Sequence, residues 1–194
     1  VIAYLTKLRS ILQFIGVSDC KMEQGSLRAD VNLSVRPVGQ TELGTRTEMK
    51  NINSFKAIAR AIEGERERQI DTILAGEKVV QETRRWDDNK GESYAMRSKE
   101  NAQDYRYFPE PDLVPIEISD EWIERVKSEL PELPEAKKAR YIEEYKLPEY
   151  DVDIITGSKF LVDIFEKALA VCGEPKEVSN WIMGEVLKSE AKRS

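Results

Sequence analysis

The chain has 194 residues, 40% hydrophobic and 34% charged, with a formal net charge of −6. This composition is that of a soluble globular protein, and no apolar run approaches the ~20 residues that a membrane-spanning helix needs. There is no histidine, and Cys20 and Cys172 stand far apart, which argues against imidazole chemistry, a zinc site or a disulfide framework and for a reducing, cytoplasmic setting.

The chain opens on Val1 directly in a helical pattern, with no charged n-region or apolar signal core. This suggests an internal piece of a longer protein. Charge is uneven: residues 1–115 carry 18 Lys/Arg and 18 Asp/Glu, whereas residues 116–194 carry 12 and 18. The second part alone is a poor general phosphate binder.

Residues 1–15 place Leu5, Leu8, Leu12 and Ile15 at helical spacing before Gly16, predicting an amphipathic helix that covers a sheet. From 27 to 35, Leu27, Ala29, Val31, Leu33 and Val35 alternate with Arg28, Asp30, Asn32 and Ser34. From 45 to 50, Thr45, Thr47 and Met49 alternate with Arg46, Glu48 and Lys50. Period-two alternation predicts strands with one face on a core and one open. The turn-rich PVGQTELG between them predicts a hairpin. Asn51-Ile-Asn-Ser54 supplies cap residues for a helix over about 54–75 that stops at Gly76. Its charged middle, Gly64–Gln69, reads as a solvated face.

Residues 78–99 predict a second hairpin turning at Asp87–Gly91. It is either an ordinary exposed hairpin or, through Glu82, Arg84, Arg97 and Lys99, an extension of the first polar surface. The stretch 100–115 packs Asp104-Tyr-Arg-Tyr-Phe108 ahead of three prolines and predicts extended chain. It is a domain-exit linker, or Tyr105 and Arg106 contact phosphate or base. From Ser119 only helices are predicted: one through Leu130, one over about 134–145 with Pro134 in its first turn, one over about 158–172 ending at Gly173, and one over about 175–190. The fold class is thus α+β, antiparallel hairpins with covering helices over 1–115 followed by an all-α module over 116–194.

The first hairpin carries both charge signs at close range. Opposed Cβ atoms of a two-stranded ladder stand about 5 Å apart, so Asp30 and Glu48 can approach if the register suits. Two carboxylates with the Asn32 amide oxygen suit a hard cation such as Mg²⁺, and Arg28, Arg46 and Lys50 suit anionic oxygens. That constellation fits phosphoryl transfer. The same residues also fit a cross-strand salt-bridge lattice with no chemistry, and no Walker loop or dinucleotide fingerprint decides between them.

The runs KMEQGSLRADVNLSVRP, GTRTEMKNINSF, QETRRWD, MRSKENAQDYRYFPEPDLVP and LPELPEAKKARY closely resemble the B subunit of the bacterial glutamyl/aspartyl-tRNA amidotransferase, the GatB family, over essentially the whole chain. The resemblance implies a component of a ligase whose catalytic cradle uses ATP and Mg²⁺ to phosphorylate the side-chain carboxyl of glutamate mischarged on tRNA-Gln, or aspartate on tRNA-Asn. Ammonia released by the amidase component then displaces the phosphate. The resemblance implies the amidase (GatA) and the small third component (GatC), with mischarged tRNA, as partners. It places residues 1–115 in the second half of the cradle and 116–194 in a truncated helical domain. Carried over residue by residue, Asp30 and Glu48 become metal-side acids, with Glu23 a weaker third, and Arg28 and Lys50 phosphate-side cations. Asn32 and Asn51 join the ligand-binding set; Glu82, Arg84, Lys99 and Arg106 stand behind it or along the ammonia tunnel. Ala29 stands where the family often has cysteine. The family's first half of the cradle, with further metal-side acids, a histidine and often a cysteine zinc knuckle, has no counterpart in these 194 residues, and neither has its tail domain. The implied alternative is an assembly and tRNA-positioning scaffold whose chemistry lies elsewhere in the protein.

Overall fold

The computed structural model describes residues 1–96 and 110–191. Arg97, Lys99, Tyr105 and Arg106, singled out above, lie outside the described residues. The chain divides into two compact units, Val1–Leu5 with Cys20–Glu117 and Thr6–Asp19 with Ile118–Ser194. The division falls inside the first helix, α1 (Ile2–Phe14): Ile2 and Leu5 pack on the core of the first unit, and Phe14 is buried in that of the second.

The first unit holds a four-stranded sheet in the order β1 (Val31–Leu33), β2 (Thr47–Lys50), β3 (Thr83–Asp87), β4 (Glu92–Ala95). Both expected hairpins are present and antiparallel: β1 pairs β2 with Val31 opposite Met49, and β3 pairs β4 with Arg85 opposite Tyr94. The hairpins join through β2 and β3, which run parallel with Lys50 beside Arg85. That pairing makes the sheet mixed, where alternation and turns predicted antiparallel hairpins alone. It is possible because α2 (Phe55–Leu74), 20 residues long, returns the chain to the end of the sheet from which β2 began.

The Ser54 hydroxyl caps α2 by accepting the Ala57 N–H at 3.0 Å. Ala57, Ile58 and Ala61 of α2 bury against Met49, Ile52 and Trp86. A Cβ on Gly64 would come within 3.2 Å of the Trp86 ring, so glycine there lets helix and indole close up.

In the charged middle of α2, Arg66 and Glu67 are solvated as expected, but two positions correct that expectation. Glu65 and Gln69 are fully buried, together with Thr47 of β2. The spacing of Ile58, Ala61, Glu65 and Gln69 continues the core-facing stripe, with polar residues replacing apolar ones. One Glu65 oxygen, Oε1, accepts from the Thr47 hydroxyl at 2.6 Å, Arg68 at 2.7 Å and Gln69 at 2.9 Å; Oε2 accepts from Arg68 at 2.9 Å and Ser93 at 3.2 Å. Gln69 also donates to the Leu33 carbonyl and accepts from the Val35 N–H. The strip ties β1, β2 and β4 to the helix, with its carboxylate bonds satisfied in full. Burial alone would raise the Glu65 carboxyl, but hydrogen bonds from Arg68, Thr47 and Gln69 outweigh it and bring the pKa down from 4.5 to about 2.

The second unit is helical: α3 (Asp120–Glu129), α4 (Pro134–Glu143), α5 (Glu149–Thr156), α6 (Lys159–Cys172) and α7 (Pro175–Trp181), which runs through a π-helical turn (Ile182–Val186) into α8 (Leu187–Ala191). The eight-residue α5 falls between two predicted helices, in a stretch whose pattern predicted none; it buries Val152, Ile155 and Thr156. Tyr141, Leu161, Val162, Phe165, Val178 and Ile182 complete the core. On its flank the Glu166 Oε1 accepts from Lys137 at 2.6 Å and from Arg140 and the Tyr141 hydroxyl at 2.9 Å each. Among the described residues, no helix is long and apolar enough to cross a membrane.

Candidate functional site

The sheet has a covered face and an open face, and the register decides which residues belong to each. On the covered face Thr47 and Met49 are fully buried under α2. On the open face stand the residues between them in the alternation. Asn32 lies directly opposite Glu48, and the same register sets Asp30 opposite Lys50. Residues paired side by side across a ladder share a face, so Asp30, Asn32, Glu48 and Lys50 form one polar surface.

Asp30 and Glu48 therefore stand diagonally, and the Lys50 ammonium lies between them, 3.6 Å from Glu48 Oε1 and 3.9 Å from Asp30 Oδ2. The pairs are a third to a half exposed, so their contribution to stability is of the surface kind, about 0–1 kcal/mol. The remaining Glu48 oxygen accepts from the Thr83 hydroxyl at 3.0 Å, which holds the carboxylate against β3.

An open cleft of about 510 Å³ lies at the end of β2, and Glu23, Arg28, Asp30, Lys50 and Asn51 line it. Five of the seven residues singled out in the sequence thus meet around one space; Asn32 and Glu48 lie on the adjoining strand surface. Arg28 is exposed, and its guanidinium lies 3.2 Å from where a Cβ on Gly25 would stand. Gly25, at φ +76°, both makes the turn and leaves room for that side chain. Glu23 is exposed on the rim. Among the described residues no three acidic or thiol side chains gather as a ready metal cage; Asp30 and Glu48 meet through Lys50, and Glu23 does not complete a triad with them.

Asn51 has a second task. Its φ is +67°, a left-handed conformation that asparagine tolerates better than most residues, and its side-chain amide donates to the Trp86 carbonyl at 3.2 Å. It ends β2 and latches it to β3. Glu82 and Arg84 correct the expectation that they extend the polar surface. Arg84 is beside the buried Met49 in the parallel register, so both lie on the α2 side. There Arg84 pairs with Glu82, donates to the Ser93 hydroxyl at 2.8 Å and approaches Glu65 at 3.7 Å.

The residue on the open face is Arg85, next to Lys50 on one side and Tyr94 on the other. Lys50, Arg85 and Tyr94 make a row across β2, β3 and β4, and Asp30, the residue before β1, meets Lys50 at its end. A second cleft of about 350 Å³ opens at Arg85 and Tyr94 and shares Asn51 and Asn53 with the first. The sequence carried one signal for this: alternation from the buried Trp86 puts position 85 outward.

The first unit is thus two hairpins joined in parallel and backed by one long helix, with acidic and basic side chains on the open face of the sheet. Residues 1–124 match the GatB/GatE catalytic domain, and the chain belongs to that family. It is 69% identical over 188 residues to the B subunit of the aspartyl/glutamyl-tRNA(Asn/Gln) amidotransferase of Lachnoclostridium phytofermentans, covering 97% of this chain and 39% of that protein. The B subunit from Lachnospira eligens is 66% identical over 188 residues, with the same coverage of 97% and 39%. That of Thermodesulfovibrio yellowstonii is 57% identical over 185 residues, 95% of this chain and 39% of the relative. The chain spans about two fifths of the length of these relatives.

Proposed function

We propose that this chain supplies one wall of a carboxyl-activation site in the B subunit of a tRNA-dependent amidotransferase. It would work with the amidase and the small third component, GatA and GatC, on glutamate mischarged on tRNA-Gln or aspartate on tRNA-Asn. The observation that carries the reading is the convergence of Asp30 and Glu48 on Lys50, beside a cleft that also presents Arg28. An acid–base–acid row with further cations at its edge is suited to handling phosphates, because phosphoryl transfer needs positioning and charge neutralisation more than covalent help.

In the reaction proposed, the substrate's side-chain carboxylate attacks the γ-phosphorus of ATP. An O–P bond forms as the bond to the β-phosphate oxygen breaks, giving a mixed anhydride and ADP. Ammonia then adds at the acyl carbon, and phosphate leaves as the amide forms with loss of a proton. Arg28 holds anionic phosphate oxygens with its planar fork of donors. Lys50 keeps the two carboxylates from repelling each other. Asp30 and Glu48, with Asn32, have the oxygen chemistry for Mg²⁺, which is ordinarily held by one or two carboxylates plus substrate phosphates; bound there it would offset phosphate charge. The Thr83 hydroxyl orients Glu48.

The test is Asp30→Ala and Glu48→Ala in the full-length protein, assembled with its partners. Carboxyl phosphorylation is expected to fall by at least ~100-fold, the scale for losing a charge-stabilising group, while the complex still forms and still binds tRNA. Wild-type turnover in both variants sinks the site. Full chemistry with lost assembly or tRNA affinity favours instead the scaffold reading, which the latch of Asn51 and the ion-paired surface would serve.

A further inference from the structure

We infer that Arg85 is a phosphate-binding residue of this site and that it, more than Lys50, supplies the positive charge the nucleotide triphosphate meets on the sheet. The inference rests on the reading under Proposed function and adds a residue to it.

The charge of Lys50 is already spent. Its ammonium sits at 3.6 and 3.9 Å from two carboxylates. Taken with them, the cluster Asp30–Lys50–Glu48 is net negative by one charge, so Lys50 leaves no free cation for a phosphate there. Arg85 stands beside Lys50 in the parallel ladder, one strand spacing or ~4.8 Å away at the backbone. It is exposed on the open face, and among the described residues it has no carboxylate partner.

The acids that share its cleft are engaged elsewhere. Asp88 pairs with Arg60 at 3.1 Å and accepts from the Trp86 indole N–H at 3.1 Å. Asp87 accepts the backbone N–H groups of Asn89 and Lys90 at 3.0 and 3.1 Å. Among the described residues the Arg85 side chain thus has no ion-pair or hydrogen-bond partner, and its five donors are open to a ligand. A guanidinium grips phosphate with two parallel N–H bonds, which an ammonium does not.

Position favours the same role. The second cleft, which Arg85 opens on, joins the first through Asn51 and Asn53. A polyphosphate reaching from one cleft into the other could meet Arg28 in the first and Arg85 in the second. Tyr94, next to Arg85 in register and 47% exposed, offers a ring beside the same cation, a surface against which a base can stack.

The experiment uses the complete amidotransferase with Arg85→Ala, Arg85→Glu and Arg85→Lys. Steady-state kinetics with ATP varied, and separately with mischarged tRNA varied, split the two substrates. Arg85→Ala is expected to raise the KM for ATP at least about tenfold, the scale of one lost charge-assisted contact. The KM for tRNA is expected to stay within about threefold, Arg85→Lys to recover part of the loss, and Arg85→Glu to abolish nucleotide binding measured directly by equilibrium dialysis. The thermal midpoint should not move, since the side chain is exposed. An unchanged KM for ATP in Arg85→Ala, while the wild type makes the acyl phosphate, overturns this inference alone. A rise in the KM for tRNA with that for ATP unchanged reassigns Arg85 to RNA and overturns it equally. A wild-type complex that makes no ATP-dependent acyl phosphate overturns the parent reading and this one with it.

Discussion

Replacing Glu65 by glutamine tests how the sheet is fastened to its helix. The change keeps shape and volume and removes only charge. Both carboxylate oxygens accept donors, Thr47, Arg68 and Gln69 on one and Arg68 and Ser93 on the other. Whichever way the new amide is placed, its NH₂ group points at donors, and the Arg84 guanidinium at 3.7 Å loses a compensating charge. Breaking a buried, hydrogen-bonded pair on one side costs about 3–5 kcal/mol. The pH dependence gives a second measure. Because the folded pKa lies below the ordinary value, about 2 against 4.5, the ionised carboxylate contributes stability that is fully present above pH 4.5 and is lost as pH falls toward 2. At ~1.4 kcal/mol per pKa unit the span is worth about 3 kcal/mol, in line with the first figure. Hydrogen exchange at the β2 amides in the full-length protein, followed from pH 6 to pH 3, reads the opening free energy of this element. We expect Glu65→Gln to lower it by about 3 kcal/mol at pH 6 and to flatten its decline below pH 4.5. A loss below ~0.5 kcal/mol, the noise level of ordinary surface changes, or an acid decline equal in both proteins, refutes the assignment of Glu65 as the fastening group.

Two further expectations concern other joints of the fold. Asn51→Gly keeps the left-handed backbone and loses only the bond to the Trp86 carbonyl, so about 1 kcal/mol should go; Asn51→Ala adds ~1 kcal/mol of left-handed strain, and thermal melts of the two variants should rank Ala below Gly. Reversal of that order means that the conformation is not what the residue supplies. In the helical unit, Glu166→Gln weakens the acceptor shared by Lys137, Arg140 and Tyr141. Although burial acts to raise the Glu166 carboxyl, hydrogen bonds from Lys137 and Tyr141 hold it below the ordinary range, so this unit should lose stability on acidification below that range. The variant should melt earlier at neutral pH, by the equivalent of about 1–2 kcal/mol, and should show a shallower acid decline; a steeper one counts against the network.

Much of this architecture was written locally. Helical spacing and caps placed α2 within a residue or two, because Ser54 must satisfy an orphan N–H wherever that helix starts. Alternation alone sorted Asp30, Asn32, Glu48 and Lys50 onto one face and Thr47 and Met49 onto the other, since successive strand residues point oppositely whatever their neighbours. The family motifs, too, are properties of the string of residues.

What local pattern does not contain is which strand lies beside which. The parallel pairing of β2 with β3 depends on α2 packing back over the sheet, a contact between residues far apart in sequence. That one decision put Arg85 next to Lys50 and turned Arg84 down toward Glu65, a one-residue difference with opposite results. It also buried Glu65 and Gln69, whose charge and polarity read as solvent-facing until a carboxylate, an amide and two arginines were seen to satisfy one another. Residue type and period determine faces and helices; only the folded chain, by choosing partners and register, determines which charges are spent on each other and which are left for a ligand.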